Sequence, residues 1–348
     1  MKIKELFKNK FNYTKPYIIA EAGVNHECSM QKALKLVKKA KEGGADAIKF
    51  QTYKADSLAS KFSPAYWDLK KEKTKNQNEL FKKYDKFDEK DYKKLKKFCD
   101  KINIEFLSTP FDNKSAKFLS KLVKCFKISS SDITNKPFIK YICRFKKPII
   151  LSTGASNIFE IKRAVKWIEE ENVKVAILHC ILNYPTDDKN ANLNMINSLI
   201  KNFPKNIVGY SDHTLPNDMF NLLVATTLGA KIIEKHFTLD KKLKGNDHYH
   251  SMDNKDLLKF DKTLKRLQSV LGDKKEKNFL LSEKKSRENA RRSIVVNSDL
   301  KKGQILKKSD LSFKRPGTGV PPFLFNKVLR KKLKKNILKD QILTFKHI

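Results

Sequence analysis

At 348 residues the chain exceeds an average single domain and fits one barrel of roughly 250 residues with a small appendage. Apolar residues make up 40% of it, enough for a sizeable core, and 11 Gly and 11 Pro exclude a collagen-like or low-complexity polymer. The formal charge of +37 raises a nucleic-acid or anionic-membrane partner, yet only eight of the 75 basic residues are Arg, so the charge reads as a bias toward Lys that steers acidic ligands and no nucleic-acid partner is expected.

Met1 to Lys15 mixes Lys with single apolar residues and has no continuous apolar core of the signal-peptide kind. No later stretch reaches the roughly 18 apolar residues of a membrane span, so a soluble, cytoplasmic protein without a membrane partner is expected. Cys28, Cys99, Cys125, Cys143 and Cys180 are widely spaced, lack a Cys-x-x-Cys pair and read as reduced thiols.

In chain order, short apolar runs predict strands at Tyr17 to Ala22, Ala47 to Gln51, Glu105 to Ser108, Cys125 to Ile128, Pro148 to Leu151, Val175 to His179, Ile207 to Tyr210 and Lys231 to Glu234. Between them, Ser29 to Gly43, Glu89 to Lys101, Ile158 to Glu171 and Met219 to Gly229 repeat apolar residues near a helical period. Eight such units predict an α/β fold, a closed (β/α)8 TIM barrel over residues 1–272, whose final helix runs from Asn254 to Leu271 and stops at Gly272. A polar linker over 273–290 follows. From Arg291 to the end, apolar runs alternate with turns such as Lys302-Gly303 and Pro316-Gly317, predicting a small mixed domain.

Barrel active sites form at the C-terminal ends of the strands, and nearly every predicted strand ends there in polar residues. The rim reads Glu21 with Asn25 and His26, Lys49 and Gln51, Ser108 and Thr109, Lys127 with Ser130 and Asp132, Ser152 and Thr153, His179 and Tyr184, Ser211 with Asp212 and His213, and Glu234 with His236. Lys49 and Lys127 interrupt apolar strands, where an ammonium needs an anionic partner. Either they pair internally with Glu21 or Glu234, or with Ser and Thr hydroxyls they form a pocket for a phosphate and a carboxylate, as phosphoenolpyruvate carries. His213 and His236 end neighbouring strands and either share a metal ion of the Mn, Fe, Co or Zn type or bond nearby carboxylates.

The blocks IIAEAGVNHE (18–27), GADAIKFQTY (44–53), FLSTPFD (106–112), FKISSSDITNKP (126–137), PIILSTGAS (148–156), LHCILNYPT (178–186), GYSDHT (209–214), GAKIIEKHFTLDK (229–241) and GNDHYHSMD (245–253) resemble the N-acetylneuraminate synthase family, which makes sialic, legionaminic and pseudaminic acids. RRSIVVNSDLKKGQIL (291–306) and KRPGTGVPP (314–322) are similar to that family's antifreeze-like (SAF) domain, so the resemblance spans about the whole chain. It implies a transferase that condenses phosphoenolpyruvate with N-acetylmannosamine or a related acetamido sugar, releasing phosphate, for surface glycan biosynthesis.

Residue by residue, the resemblance implies that Lys49, Thr109, Lys127, Ser130, Ser152 and Ser211 bind phosphoenolpyruvate. Gln51, Asp132, Tyr184, Asp247 and Arg315 face the acceptor sugar. His213 and His236 hold a divalent metal, Mn2+ first, with Mg2+ or Co2+ as alternatives. Glu21, Lys49, Lys127 and Asp132 are the expected catalytic set, and Arg315 is expected to enter a partner subunit's barrel in a domain-swapped homodimer. Asp132 stands where the family often has Glu, the segment Lys54 to Asp88 makes a long loop after the second strand, and Arg330 falls where many relatives have Gly. The alternatives are a synthase acting on a phosphorylated sugar and a nonenzymatic polyanion-binding protein.

Overall fold

Parallel strands β1 (Tyr17–Gly23), β2 (Ala47–Thr52), β3 (Glu105–Pro110), β4 (Phe126–Ile128), β5 (Ile149–Ser152), β6 (Val175–Cys180), β7 (Ile207–Asp212) and β8 (Ile232–His236) build the first unit, Met1–Gly272. The computed structural model describes residues 3–8, 15–245, 247–273 and 276–348. The strands run in the order β3-β2-β1-β8-β7-β6-β5-β4, with β8 returning to pair with β1 from Tyr17↔Ile232 to Glu21↔His236. This is the predicted TIM-like barrel, but nearly closed: β3 and β4 share no ladder among the described residues. Strand β4 has three residues before Ser129 turns the chain into a 3-10 turn, Ser130–Asp132, which leaves little backbone to pair.

Helices begin where polar side chains meet orphan backbone N–H groups. Ser29 caps Met30–Glu42, and capping boxes start Glu89–Lys101 (Asp88 with Asp91), Ile158–Glu169 (Asn157 with Glu160) and Asn254–Leu271 (Asp253 with Asp256). Gly272, at φ +63°, ends the last of these as predicted.

Side chains alternate along each strand, and that alternation sorts the core. Ile18, Ile48, Phe106, Ile149, Ile177 and Ile233 join Leu36, Leu95, Ile139 and Leu264 of the helices in the larger cluster. The alternate set, including Tyr17, Ile19, Ala47, Leu107, Ile150, Leu178 and Ile232, forms a second cluster inside the barrel. Ile3, Leu6 and Phe7 belong to that inner cluster, and Lys174 Nζ donates to the Phe7 carbonyl at 2.8 Å. The N-terminal segment thus plugs the end of the barrel where the strands begin, a role the sequence reading did not assign.

The long loop after β2 is structured. It carries the helices Ala55–Leu58 and Gln77–Tyr84, and Trp67 Nε1 donates to the carbonyls of Glu72 (3.2 Å) and Thr74 (3.1 Å).

The second unit, Asp273–Ile348, pairs β9 (Ser293–Val296) with β10 (Leu311–Lys314) antiparallel around Ile294, Val296, Leu306, Val320, Leu333 and Leu343. The stretch predicted as linker contains the helix Lys284–Ala290, tied into this unit by Gly317 N–H donating to the Glu288 carbonyl at 2.7 Å. Lys274 and Lys275 of that stretch, and Asn246 of the GNDHYHSMD block, lie outside the described residues. Arg330 adopts φ +65°, the left-handed region that favours glycine. Among the described residues no helix is long and apolar enough to cross a membrane.

Candidate active site

The inward-facing column that is apolar at the plugged end turns polar at the opposite end, because inward positions near the C-terminal ends of the strands include Glu21, Gln51, Thr109, Lys127, Ser152, Cys180, Ser211 and Glu234. With Lys49, Ser130, Leu182, Tyr184, His213 and His236 they line one cavity. Lys49 and Lys127 are 3% and 4% exposed, so every neighbour of their ammonium groups matters.

Lys49 Nζ lies 2.5 Å from Glu21 Oε2 and donates to Thr109 Oγ1 at 3.0 Å. Lys127 Nζ donates to Ser152 Oγ at 2.6 Å. Glu234 Oε1 stands 3.7 Å from both ammonium groups and accepts from Ser211 Oγ at 3.3 Å. Internal ion pairing therefore exists, and the hydroxyls of the phosphate-pocket reading stand in the same network. Ser130 Oγ accepts from Gly154 N–H at 2.8 Å, which ties the turn after β4 to the loop after β5.

The charges are unequal in character. Burial raises the Glu21 carboxyl to about 7 despite the opposing pull of Lys49. Burial pushes Glu234 the same way, but Lys127 and Lys49 outweigh it and hold that carboxylate below its usual range. Burial lowers Lys127, with Glu234 opposing, whereas for Lys49 the carboxylates of Glu21 and Glu234 overcome burial and raise it. The site thus keeps one firm carboxylate between two cations and one carboxyl able to exchange a proton near neutral pH.

A second cavity shares Gln51, Leu182, Tyr184 and His236 with the first and extends past Asn183, Asp247 and His248 to Tyr53, Trp67, Leu80, Phe81 and Tyr84. At the junction the His213 and His236 rings are 5.5 Å apart, and the Tyr184 ring lies 4.1 Å from that of His213. His213 Nδ1 must carry hydrogen, since it bonds the Ile181 carbonyl at 2.7 Å, leaving Nε2 as the nitrogen with a lone pair. Burial lowers His213 to about 4 and holds His236 well below the ordinary imidazole value, so both imidazoles are neutral at pH 7.

Residues 36–276 match the NeuB family and residues 291–348 match the SAF domain. The chain belongs to the NeuB family. It is 39% identical to the N,N'-diacetyllegionaminic acid synthase of Campylobacter jejuni, a match covering 94% of this chain and 99% of that protein. The protein of the same name from Legionella pneumophila is 38% identical, covering 95% and 94%. The crystal structure of the N-acetylneuraminic acid (sialic acid) synthetase from Leptospira borgpetersenii, in complex with citrate, aligns with a TM-score of 0.69 and 31% identity over 80% of this chain and 94% of that one. This NeuB-family chain is accordingly an enzyme, of the acid-synthase type.

Of the residues singled out in sequence, the NeuB barrel brings Glu21, Lys49, Gln51, Thr109, Lys127, Ser130, Ser152, Tyr184, Ser211, His213, His236 and Asp247 to these two adjoining cavities. Asp132 lines neither. Its Oδ1 accepts from Asn135 Nδ2 at 3.1 Å, its Oδ2 has no partner, and burial raises its carboxyl. Arg315 follows β10 at an exposed position of the second unit.

Two groups missed as site residues stand out. Glu234, placed on the rim and offered as an ion partner in sequence but given no binding or catalytic role, centres the cation network. Lys235, on the opposite face of β8, bonds Asp212 Oδ2 at 2.6 Å and the Thr214 carbonyl at 2.6 Å, fixing both residues that flank His213. Strict alternation from Glu234 and His236 would have pointed Lys235 outward and made Asp212 its natural counterion.

Proposed function

We propose that this chain condenses phosphoenolpyruvate with the open-chain form of an acetamido hexose, N-acetylmannosamine or a relative, to give a sialic-type nonulosonic acid and inorganic phosphate. The observation that carries this reading is the pair of buried ammonium groups, each beside a hydroxyl, in a cavity that opens at Tyr184 and His236 into a second, sugar-facing one.

Lys49 with Thr109 and Lys127 with Ser152 hold the phosphate and carboxylate, and Ser130 and Ser211 add hydroxyls to the same cradle. Bound there, the anion competes with Glu21 and Glu234 for the two cations. Gln51, Tyr184 and Asp247 orient the acceptor. C3 of phosphoenolpyruvate attacks the aldehyde carbon, a water adds at C2, and the C2–O bond to phosphate breaks, leaving a 2-keto acid. Glu21, titrating at about 7, is placed to take the proton from that water. Asp132, which lines neither cavity, is assigned no contact with the acceptor.

His213 and His236 would hold a divalent ion, Mn2+ first with Mg2+ or Co2+ as alternatives. The donor set fits: both imidazoles are neutral, their rings are 5.5 Å apart, and the buried His236 Nδ1 has no hydrogen-bond partner. Among the described residues no group of three or more His, Cys, Asp or Glu is arranged to hold a metal, so the two imidazoles would be the protein's share of the ligands. When bound, such an ion supplies Lewis acidity to the acceptor aldehyde oxygen.

We further propose cytoplasmic action, a product destined for surface glycan, and a domain-swapped homodimer in which Arg315 serves the partner's acceptor site. The test is an assay with phosphoenolpyruvate, Mn2+ and acetamido sugars. Phosphate should appear only with both substrates present and in step with a 2-keto acid. Absence of turnover with every such acceptor would sink the proposal.

A further inference from the structure

Among the described residues, three buried imidazole nitrogens lack a hydrogen-bond partner: His236 Nδ1 and both ring nitrogens of His250. His248, two residues before His250, is by contrast engaged on both sides, by Thr238 Oγ1 at 2.7 Å and Glu27 Oε1 at 3.2 Å. The orphaned nitrogens converge on one group. Asp247 Oδ2 lies 3.7 Å from His236 Nδ1, and Asp247 Oδ1 lies 3.7 Å from His250 Nε2. One carboxylate thus addresses two imidazoles, one oxygen to each, within ion-pair reach and a small side-chain movement short of a hydrogen bond.

The chain returns to the end of β8 to make this arrangement. Met252 N–H donates to the His236 carbonyl at 2.8 Å, Thr238 N–H to the Met252 carbonyl at 2.9 Å, and Asn25 Nδ2 to Ser251 Oγ at 3.1 Å. These bonds pin the segment beside the strand, and His250 is 0% exposed against the rings of Tyr184, His236 and Tyr249. Asp247 lines the second cavity, where its carboxylate has room to turn away from His236 unless something holds it.

A histidine that binds a metal through one nitrogen commonly donates its other N–H to a carboxylate or carbonyl, which fixes the tautomer and the ring. His213 shows that division, with Nδ1 on the Ile181 carbonyl. At His236 the group facing Nδ1 is Asp247. We infer that His250 is a positioning residue for the metal site: its Nε2–H holds Asp247 where the carboxylate fixes His236 Nδ1–H and leaves Nε2 to the ion. With two imidazoles as the protein's share of the ligands, this support sets how tightly the ion is held. The inference rests on the metal assignment above, and the carboxylate keeps lone pairs for the acceptor.

The test is Mn2+ binding to the full-length, EDTA-stripped protein without substrates, read by electron paramagnetic resonance of the unbound ion, with each variant's fold checked by its melting curve. His250→Phe and His250→Ala both remove the donor, the first keeping a ring in place, and should raise the dissociation constant about 10- to 100-fold. His250→Gln, which returns an N–H toward the same oxygen, should lie within about five-fold of the unaltered protein. Asp247→Ala should weaken binding at least as much as His250→Phe, and joining the two should add less than about two-fold, because His250 acts through Asp247. Donor-free variants within about three-fold of the unaltered protein overturn the inference. So do equal losses in the Phe and Gln variants, additive losses in the double variant, or an unaltered protein that binds no Mn2+. None of these outcomes decides the synthase reading, which stands or falls on 2-keto acid formation.

Discussion

Glu21 carries a stability signature that its neighbours do not share. Its carboxyl titrates at about 7 in the folded chain against an ordinary 4.5, so between those values the folded state binds more protons than the unfolded one. Its contribution is full below about 4.5 and is lost as pH rises through about 7. Glu21→Gln keeps the neutral shape without the titration. The variant should therefore gain on the unaltered protein from pH 5 to pH 8, by on the order of 2 kcal/mol, read from urea midpoints in metal-free buffer. A difference that stays constant across that range contradicts the assignment. Lys235 acts differently, since it neutralises an Asp212 that is 2% exposed. Lys235→Met should cost about 3–5 kcal/mol, the penalty for stranding a buried charge, and Lys235→Met with Asp212→Asn should recover part of it. Lys49 and Lys127 were legible because an ammonium inside an apolar run demands a partner. Lys235 sits in the same kind of run but was passed over, because its partner lies on the next strand and nothing local in IIEKH names it.

At the scale of elements, the strands and the helices between them were legible to within a few residues. Continuous β-branched runs and capping residues such as Ser29, Asp88 and Asp253 are local signals. The N-terminal plug was not. The helix Ile3–Leu6 is four residues long, and its stabilisation comes from burial against Tyr17, Ile150 and Ile207, contacts remote in sequence. Leu6→Ala should cost about 2–5 kcal/mol, seen as a lower melting temperature. It should leave kcat/KM nearly unchanged, because the plug and the site occupy opposite ends of the strands; a parallel loss of activity in protein that remains folded would show the ends to be coupled. The loop after β2 was legible as long. Its folded form was hidden, since Trp67 is fixed by backbone carbonyls that no sequence pattern displays.

Across the whole barrel, one alternation accounts for both stability and chemistry: the same inward column is apolar where Ile3 and Leu6 fill it and ionisable where Glu21, Lys49, Lys127 and Glu234 end it. Polar strand ends revealed that asymmetry in sequence, whereas the division of the rim into a cavity lined by Lys49 and Lys127 and a second one without Lys or Arg among the described residues needed the fold. Asp132 illustrates the limit, because its place after β4 was readable but its withdrawal from both cavities follows from the path of the 3-10 turn. The central claim is carbon–carbon bond formation with phosphoenolpyruvate by cleavage of its C2–O bond. It is tested most directly by phosphoenolpyruvate labelled with heavy oxygen at the C2–O–P bridge, with phosphate and sugar acid both analysed by mass. The bridging label should leave entirely in the phosphate, and the sugar acid should carry the three carbons of phosphoenolpyruvate without it. Label retained in the sugar acid, or no sugar acid at all, would contradict the account.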